Sequence, residues 1–328
     1  DTKLYTGNGS TQTISGLGFE PQMVWLKRRS ATANHRIYDQ IRGATKSIYT
    51  DLTDAEGTES NGLTAFTSTG FSLGDQVGHN SLNDTFVAWA WNAASSNATN
   101  TSGSITSTVR ANASAGFSIV TYTGTGANAT VGHGGLANLS NGMIIVKNRS
   151  SATNWRVYHS ALGNTKVIFL STTGAPDTNS VYWNNTSATS TVFSVGSDDG
   201  VNGNGNSMIA YCFAPVAGYS SFGSYTGNGS TDGPFVFCGF RPKYLLVKSS
   251  TSIIDWIVED SSRSPYNQMD QRLYPNASVA ESSNGNGNMD FLSNGFKLRN
   301  AHSAMNASSQ TYIYAAFAEN PFSIARAR

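Results

Sequence analysis

Tyr225-Thr226-Gly227-Asn228-Gly229-Ser230 is written three times in this chain. Tyr5-Thr6-Gly7-Asn8-Gly9-Ser10 opens the protein with the same six residues, and Tyr122-Thr123-Gly124-Thr125-Gly126 starts its middle. The copies stand roughly a hundred residues apart, the period of a small domain and not of a short solenoid repeat. Glycine and asparagine tolerate positive φ, so the motif reads as a chain reversal between two strands.

Four further landmarks follow each copy in the same order. An apolar run closed by lysine comes first: Pro21 to Lys27, Met143 to Lys147, Pro242 to Lys248. A short alternating segment is next, His35 to Asp39, Trp155 to His159 and Trp256 to Asp260. Thr69-Gly70-Phe71-Ser72-Leu73, Thr191-Val192-Phe193-Ser194-Val195 and Asn294-Gly295-Phe296-Lys297-Leu298 come later. Each set ends on an aromatic-rich strand: Phe86 to Trp91, Met208 to Phe213, Tyr312 to Phe317. The segments are short, rich in Val, Ile, Thr and aromatic residues, and bounded by Gly/Asn/Ser/Asp clusters, which is strand patterning. Helical periodicity is nearly absent, and the best helical candidate, Thr53 to Glu56, is one turn at most. Six or seven strands per repeat suit a two-layer sandwich. The expectation is an all-β chain of three tandem related antiparallel β-sandwich modules. Module 1 covers residues 1–93, a Ser/Thr/Asn-rich linker 94–115, module 2 residues 116–217 and module 3 residues 218–328, including a C-terminal tail. The short second join predicts that modules 2 and 3 are coupled more tightly than 1 and 2.

Side chains alternate along a strand, so in the first closing strand Val87, Trp89 and Trp91 face one way and Phe86, Ala88 and Ala90 the other. Both faces are apolar, which predicts a central strand. Trp89 and Tyr211 correspond to Ala315, whereas Ala88 and Ala210 correspond to Tyr314. The bulk has changed faces, as close packing requires of divergent copies of one core.

At 328 residues the chain is long enough for two or three cores. Its formal charge of +1, from 21 basic and 20 acidic residues, leaves no excess to neutralise phosphates and argues against nucleic acid as a partner. Charged residues make up 12% of the chain, and Ser, Thr, Asn and Gly fill the polar positions, a composition that suits an extracellular or virion protein. No apolar run approaches the roughly 20 residues of a membrane span. Asp1 has no apolar leader before it, so the reading is a processed terminus or a piece of a longer polypeptide. Cys212 takes the slot of Ala90 and Ala316, and Cys238 that of Leu17, so both read as small apolar core residues.

None of the five histidines, His35, His79, His133, His159 and His302, sits in a metal or nucleophile motif. The loop Asp198-Asp199-Gly200-Val201-Asn202-Gly203-Asn204 offers carboxylate, amide and backbone oxygens, so Asp198, Asp199, Asn202 and Asn204 are calcium candidates. It lacks the closing glutamate of an EF-hand loop, and a plain hairpin loop is the preferred reading. Tyr182 and Trp183 are candidate exposed rings for stacking on sugars. Lys27, Lys147 and Lys248 read either as an acidic-ligand site or, preferably, as strand ends that carry their charge to the rim. The carboxylates Asp39, Asp51, Glu259, Asp260 and Asp290 show no recurring pair, which places a polysaccharide-degrading enzyme last. About a dozen Asn-x-Ser/Thr sequons arise by composition alone.

Several of these segments resemble a repeat found in structural proteins of tailed phages, especially marine ones, in an uncharacterised family. They are Gly18-Phe19-Glu20-Pro21 with Val24 to Lys27, Arg42-Gly43-Ala44-Thr45-Lys46, Tyr158 to Lys166, Gly223 to Val236, and Ala316 to Phe322. Val131-Gly132-His133-Gly134-Gly135-Leu136 departs from the Gly-Phe-x-Pro pattern in the middle repeat. The resemblance implies a component of the virion, exposed as a tail fibre, spike or capsid-attached appendage, with no enzymatic activity and no cofactor. It also implies a homo-oligomer, most plausibly a trimer, that meets other virion proteins and a host-surface glycan. The reading of a different class is a secreted or cell-surface glycan-binding adhesin.

Overall fold

The structure is a computed structural model that describes residues 1–283, 285 and 287–321. The terminal arginines of the tail lie outside the described residues. The chain is all-β, built of antiparallel sheets with three one-turn α-helices and one 3₁₀ turn among the described residues. Thr53 to Glu56 is not helical; the single turns fall at Val77–Asn80, Ser180–Trp183 and Asp199–Asn202. Each has a side-chain cap from Gln76, Asn179 or Asp198, which explains a helix too short to show periodicity.

Three large sheets carry the same four strands in the same order. In the first third the order is Thr2–Thr6, Thr85–Trp91, Met23–Arg28, Arg36–Asp39; in the middle it is Phe117–Thr123, Ser207–Phe213, Met143–Asn148, Arg156–His159. In the last it is Ser220–Thr226, Thr311–Ala318, Pro242–Ser249, Ile257–Asp260. The closing strand is therefore flanked on both sides in every third, as its two apolar faces require. Despite its altered approach sequence, Met143–Asn148 pairs like its two counterparts. Small sheets of three, two and three strands cover the outer faces. In the first third this packs Ile14 and Phe71 of the small sheet against Val24, Leu26 and Ala88.

The inner faces of all three large sheets meet in one cluster. Val87, Trp89 and Trp91 join Ile209, Tyr211 and Phe213, and Ile313, Ala315 and Phe317. At its centre Trp91, Phe213 and Phe317, one from each closing strand, form a triangle of edge-to-face rings with centroids 6.0, 5.7 and 5.8 Å apart. That is the preferred geometry for aromatic quadrupoles. Volume is balanced across strand pairs as well as across faces. Thr2 lies opposite Trp89, Ile119 opposite Tyr211, and Phe222 opposite Ala315, so the smallest residue faces the largest neighbour. On the outer face Gly223 lies opposite Tyr314, where an added Cβ would come 2.9 Å from the phenol oxygen.

One expectation about organisation is corrected. The segment 94–115 is no linker: Ala98–Asn100 and Ser107–Asn112 extend the middle large sheet beyond Phe117–Thr123. Ile105 and Val109 enter the middle core, a sparse apolar alternation hidden in a polar composition. All three thirds contribute to the central cluster. Cys212 and Cys238 are free, buried thiols in two different clusters.

Candidate functional site

The hexapeptide copies owe their recurrence to an asparagine that stands six residues before the second residue of each closing strand. Asn80, Asn202 and Asn306 are fully buried. Each side-chain oxygen accepts the backbone N–H of Asn8, Thr125 or Asn228, at 3.1, 2.8 and 2.9 Å. Each amide nitrogen donates to two carbonyls, Ser10 and Gly74, Ala127 and Gly196, Ser230 and Asn300. The tyrosine of each copy donates to the carbonyl of the residue before that asparagine, His79, Val201 or Met305. Gly7, Gly124 and Gly227 pack so closely on the same turn that a Cβ would come within 2.1 to 2.3 Å of a backbone oxygen. Replacing Asn202 with alanine removes four hydrogen bonds and strands the buried Gly196 carbonyl, so Asn202→Ala should cost about 1–3 kcal/mol in chemical denaturation. The motif is a structural clasp. The asparagines went unread although their recurrence was visible in the sequence.

The repeated lysines are corrected too. Lys27, Lys147 and Lys248 are fully buried and do not reach the rim. Each ammonium bonds a carbonyl across a seam between thirds: Ser278 at 3.1 Å, Thr53 at 2.9 Å and Thr173 at 3.1 Å. The first third thus grips the last, the middle grips the first, and the last grips the middle, closing a ring. Trp155 Nε1 donates to Tyr49 O and Trp256 Nε1 to Phe169 O across two of these seams. Arg149 pairs with Glu56, and Arg29 with Glu281.

Burial pushes all three lysines down from 10.5 to about 8. Between these values the unfolded chain holds protons that the folded chain has released, so the lysine contribution makes stability rise from about pH 8 to 10.5. The difference in unfolding free energy between wild type and Lys147→Met, followed over that window, should show this rise.

The acidic residues also serve the seams. Asp39 binds Arg42 within its own third and accepts the hydroxyl of Tyr211 from the middle third at 2.7 Å. Asp260 binds Arg263 and accepts Trp89 Nε1 from the first third at 3.0 Å. His159 stands at the corresponding position in the middle third and donates from Nε2 to Tyr314 O at 2.9 Å, with burial lowering its pKa to about 4. Asp51 accepts the His35 backbone N–H, and Asp290 pairs with Arg299. Burial raises Glu259 to about 8, and neither of its oxygens has a hydrogen-bond partner among the described residues. His35 accepts Trp25 Nε1, His79 is buried with no hydrogen bond to either nitrogen among the described residues, His133 accepts the Leu136 N–H, and His302 that of Ala304.

The calcium candidates are drawn into the same framework. Asp198 caps the turn Asp199–Asn202 and pairs with Arg156 at 2.9 Å, Asp199 contacts Asn148 and Asn206, and Asn202 is the clasp residue. Asn204 packs against Gly126. Among the described residues no group of three or more His, Cys, Asp or Glu is placed to hold a metal. Tyr182 and Trp183 are not exposed: they are 8% and 2% accessible, the tyrosine bonded to Asp177 and the indole to Lys166 O. The capped turn Ser180–Trp183 folds both rings inward, which their polar sequence surroundings concealed.

Among the cavities lined by described residues, two adjoin the last third. One of about 320 Å³ lies between the first and last thirds over Trp91, Tyr244 and Phe317, rimmed by the Asp1–Lys243 pair and ending at Pro321. The other, about 280 Å³, lies in the last third beside Ile257 and Arg272. No helix among the described residues is long and apolar enough to cross a membrane.

No curated protein and no solved structure matches the chain. One family model spans residues 1–321, nearly the whole sequence. The chain belongs to the family described as Domain of unknown function (DUF7483).

Proposed function

We propose that this chain is a non-enzymatic structural protein of a tailed-phage virion, displayed as a tail fibre, spike or capsid-attached appendage. Its architecture, on this reading, is one two-layer antiparallel sandwich design used three times in tandem. The shared strand order of the three large sheets supports the repeat, as do the small sheets on their outer faces. The observation that carries the functional reading is the closed ring of seams. Lys147 and Asp260 hold the thirds to one another, and Asn202 locks a turn inside its own third, which is what a rigid architectural element requires. The resemblance to phage structural repeats points the same way.

Self-association into a homo-oligomer, a trimer first of all, belongs to the same proposal, with contacts to other virion proteins and a host-surface glycan. The adhesin reading loses one support, since the two rings offered for sugar stacking are buried. Mass spectrometry of purified virions should find the protein in multiple copies per particle. Its presence only in lysate of infected cells, with none in purified particles, would contradict the proposal.

A further inference from the structure

The small sheet of the last third differs from the other two along one edge. Phe71, Phe193 and Phe296 hold the same place in the three small sheets, and their cross-strand partners are Ile14, Val131 and Val236. The residues on either side of those partners point away from the core: Thr13 and Ser15 in the first third, Thr130 and Gly132 in the middle, Phe235 and Phe237 in the last. Where the other copies carry a hydroxyl or no side chain, the last third carries two phenylalanines, 44% and 66% exposed.

Phe235–Phe237 is also an edge strand, and among the described residues it pairs with Gly295–Leu298 alone. Pro234 O and Cys238 N bond Leu298 and Asn294 on that side. By the alternation of an antiparallel ladder, the N–H and C=O groups of Phe235 and Phe237 then point off the sheet. The middle third shows what such an edge takes. There Ile105 bridges to Val131, its N–H donates to Thr130 O at 3.0 Å, and Ser107 Oγ donates to Gly132 O at 2.7 Å. An extended segment covers the very edge that the last third, entered by a short join, leaves open among the described residues.

We propose that a second copy of this chain covers it, strand against strand about a two-fold axis at Val236. The stretch is close to a palindrome, Gly233-Pro234-Phe235-Val236-Phe237-Cys238-Gly239. Antiparallel pairing with itself sets Phe235 opposite Phe237 of the second copy, twice, with glycine opposite glycine beyond, and the outward N–H and C=O groups bond one another. Aromatic pairs directly across two strands are favourable, and an exposed apolar edge invites this pairing. The charges beside the strand cancel, Asp232 with Lys297 and Asp290 with Arg299, so an identical surface meets no net repulsion. An aromatic side chain buries roughly 150–250 Å² when fully covered, so four half-exposed rings and two short edges make a weak contact, under about 1,200 Å². The contact does not depend on the virion reading, and its two-fold symmetry sets it apart from the trimer proposed there.

Sedimentation equilibrium of the full chain from about 1 µM to 1 mM tests it. The mass of the species present at low concentration should double as concentration rises. Phe235→Thr with Phe237→Ser gives this edge the residues of the first third, and it should weaken the doubling by roughly tenfold or more. Hydrogen exchange of the wild type carries the test should that variant fail to fold: the amides of Phe235 and Phe237 should exchange more slowly at high concentration, those of Thr13 and Ser15 unchanged. A mass that never doubles, the result expected if a different protein covers the edge, would overturn the assignment. So would doubling of wild-type strength in the folded double variant, or exchange at Phe235 and Phe237 that ignores concentration.

Discussion

Trp91→Ala should lower the stability of the whole chain by about 3–5 kcal/mol in chemical denaturation, the range for emptying a buried aromatic position. The indole meets Phe213 of the middle third and Phe317 of the last, besides Tyr244, and it is 6% exposed. Its loss therefore opens a void that no single third can close by itself. Phe213→Ala and Phe317→Ala should behave alike, because each removes one corner of the same triangle. In combination the substitutions should be non-additive, since the second meets a contact already broken. A cost confined to signals from the first third, with the other two unaffected, would show that the rings meet without joining the thirds.

Asp260→Ala should be comparably destabilising, about 3–5 kcal/mol, by a different mechanism. The carboxylate and the Arg263 guanidinium are both fully buried, and Arg263 also bonds Gln271 O and Val258 O. Removing the acid leaves the buried cation with Glu281 as its remaining counter-ion and frees Trp89 Nε1 from its partner across the seam. Replacing Asp260 and Arg263 together by apolar residues should recover much of the loss, because the desolvation cost disappears with both charges. Asp232, 83% exposed and paired with Lys297, is the contrasting case: its removal should leave stability unchanged within error. Equal losses at Asp232 and Asp260 would contradict the buried role given to the latter.

What the sequence disclosed follows from what a strand pattern encodes. Alternation in Thr85–Trp91 correctly divided Val87, Trp89 and Trp91 from Ala88 and Ala90, and the two sets enter different clusters. Pattern reports which residues share a face, but not what covers that face. Each third keeps a cluster of its own, and the inward rings join the three large sheets in a further, shared one. The lysines illustrate the same limit. Their recurrence was plain, yet Lys147 finds its partner at Thr53, far away in the chain, and no local spacing points there. Composition misled at 94–115, where serine and threonine sit in paired strands, and at Tyr182 and Trp183, where a one-turn helix reverses the expected exposure. The clasp asparagines were within reach, since each precedes its closing strand by the same interval. Their chemistry looked like ordinary loop composition until the partners were seen.

The central claim is that the three thirds close on a common interior and a ring of seams, so none is stable without the others. Differential scanning calorimetry of the intact chain tests it most directly. A single transition whose calorimetric and van't Hoff enthalpies agree is the predicted result. Two or three resolved transitions, each with the enthalpy of a domain of roughly a hundred residues, would contradict it.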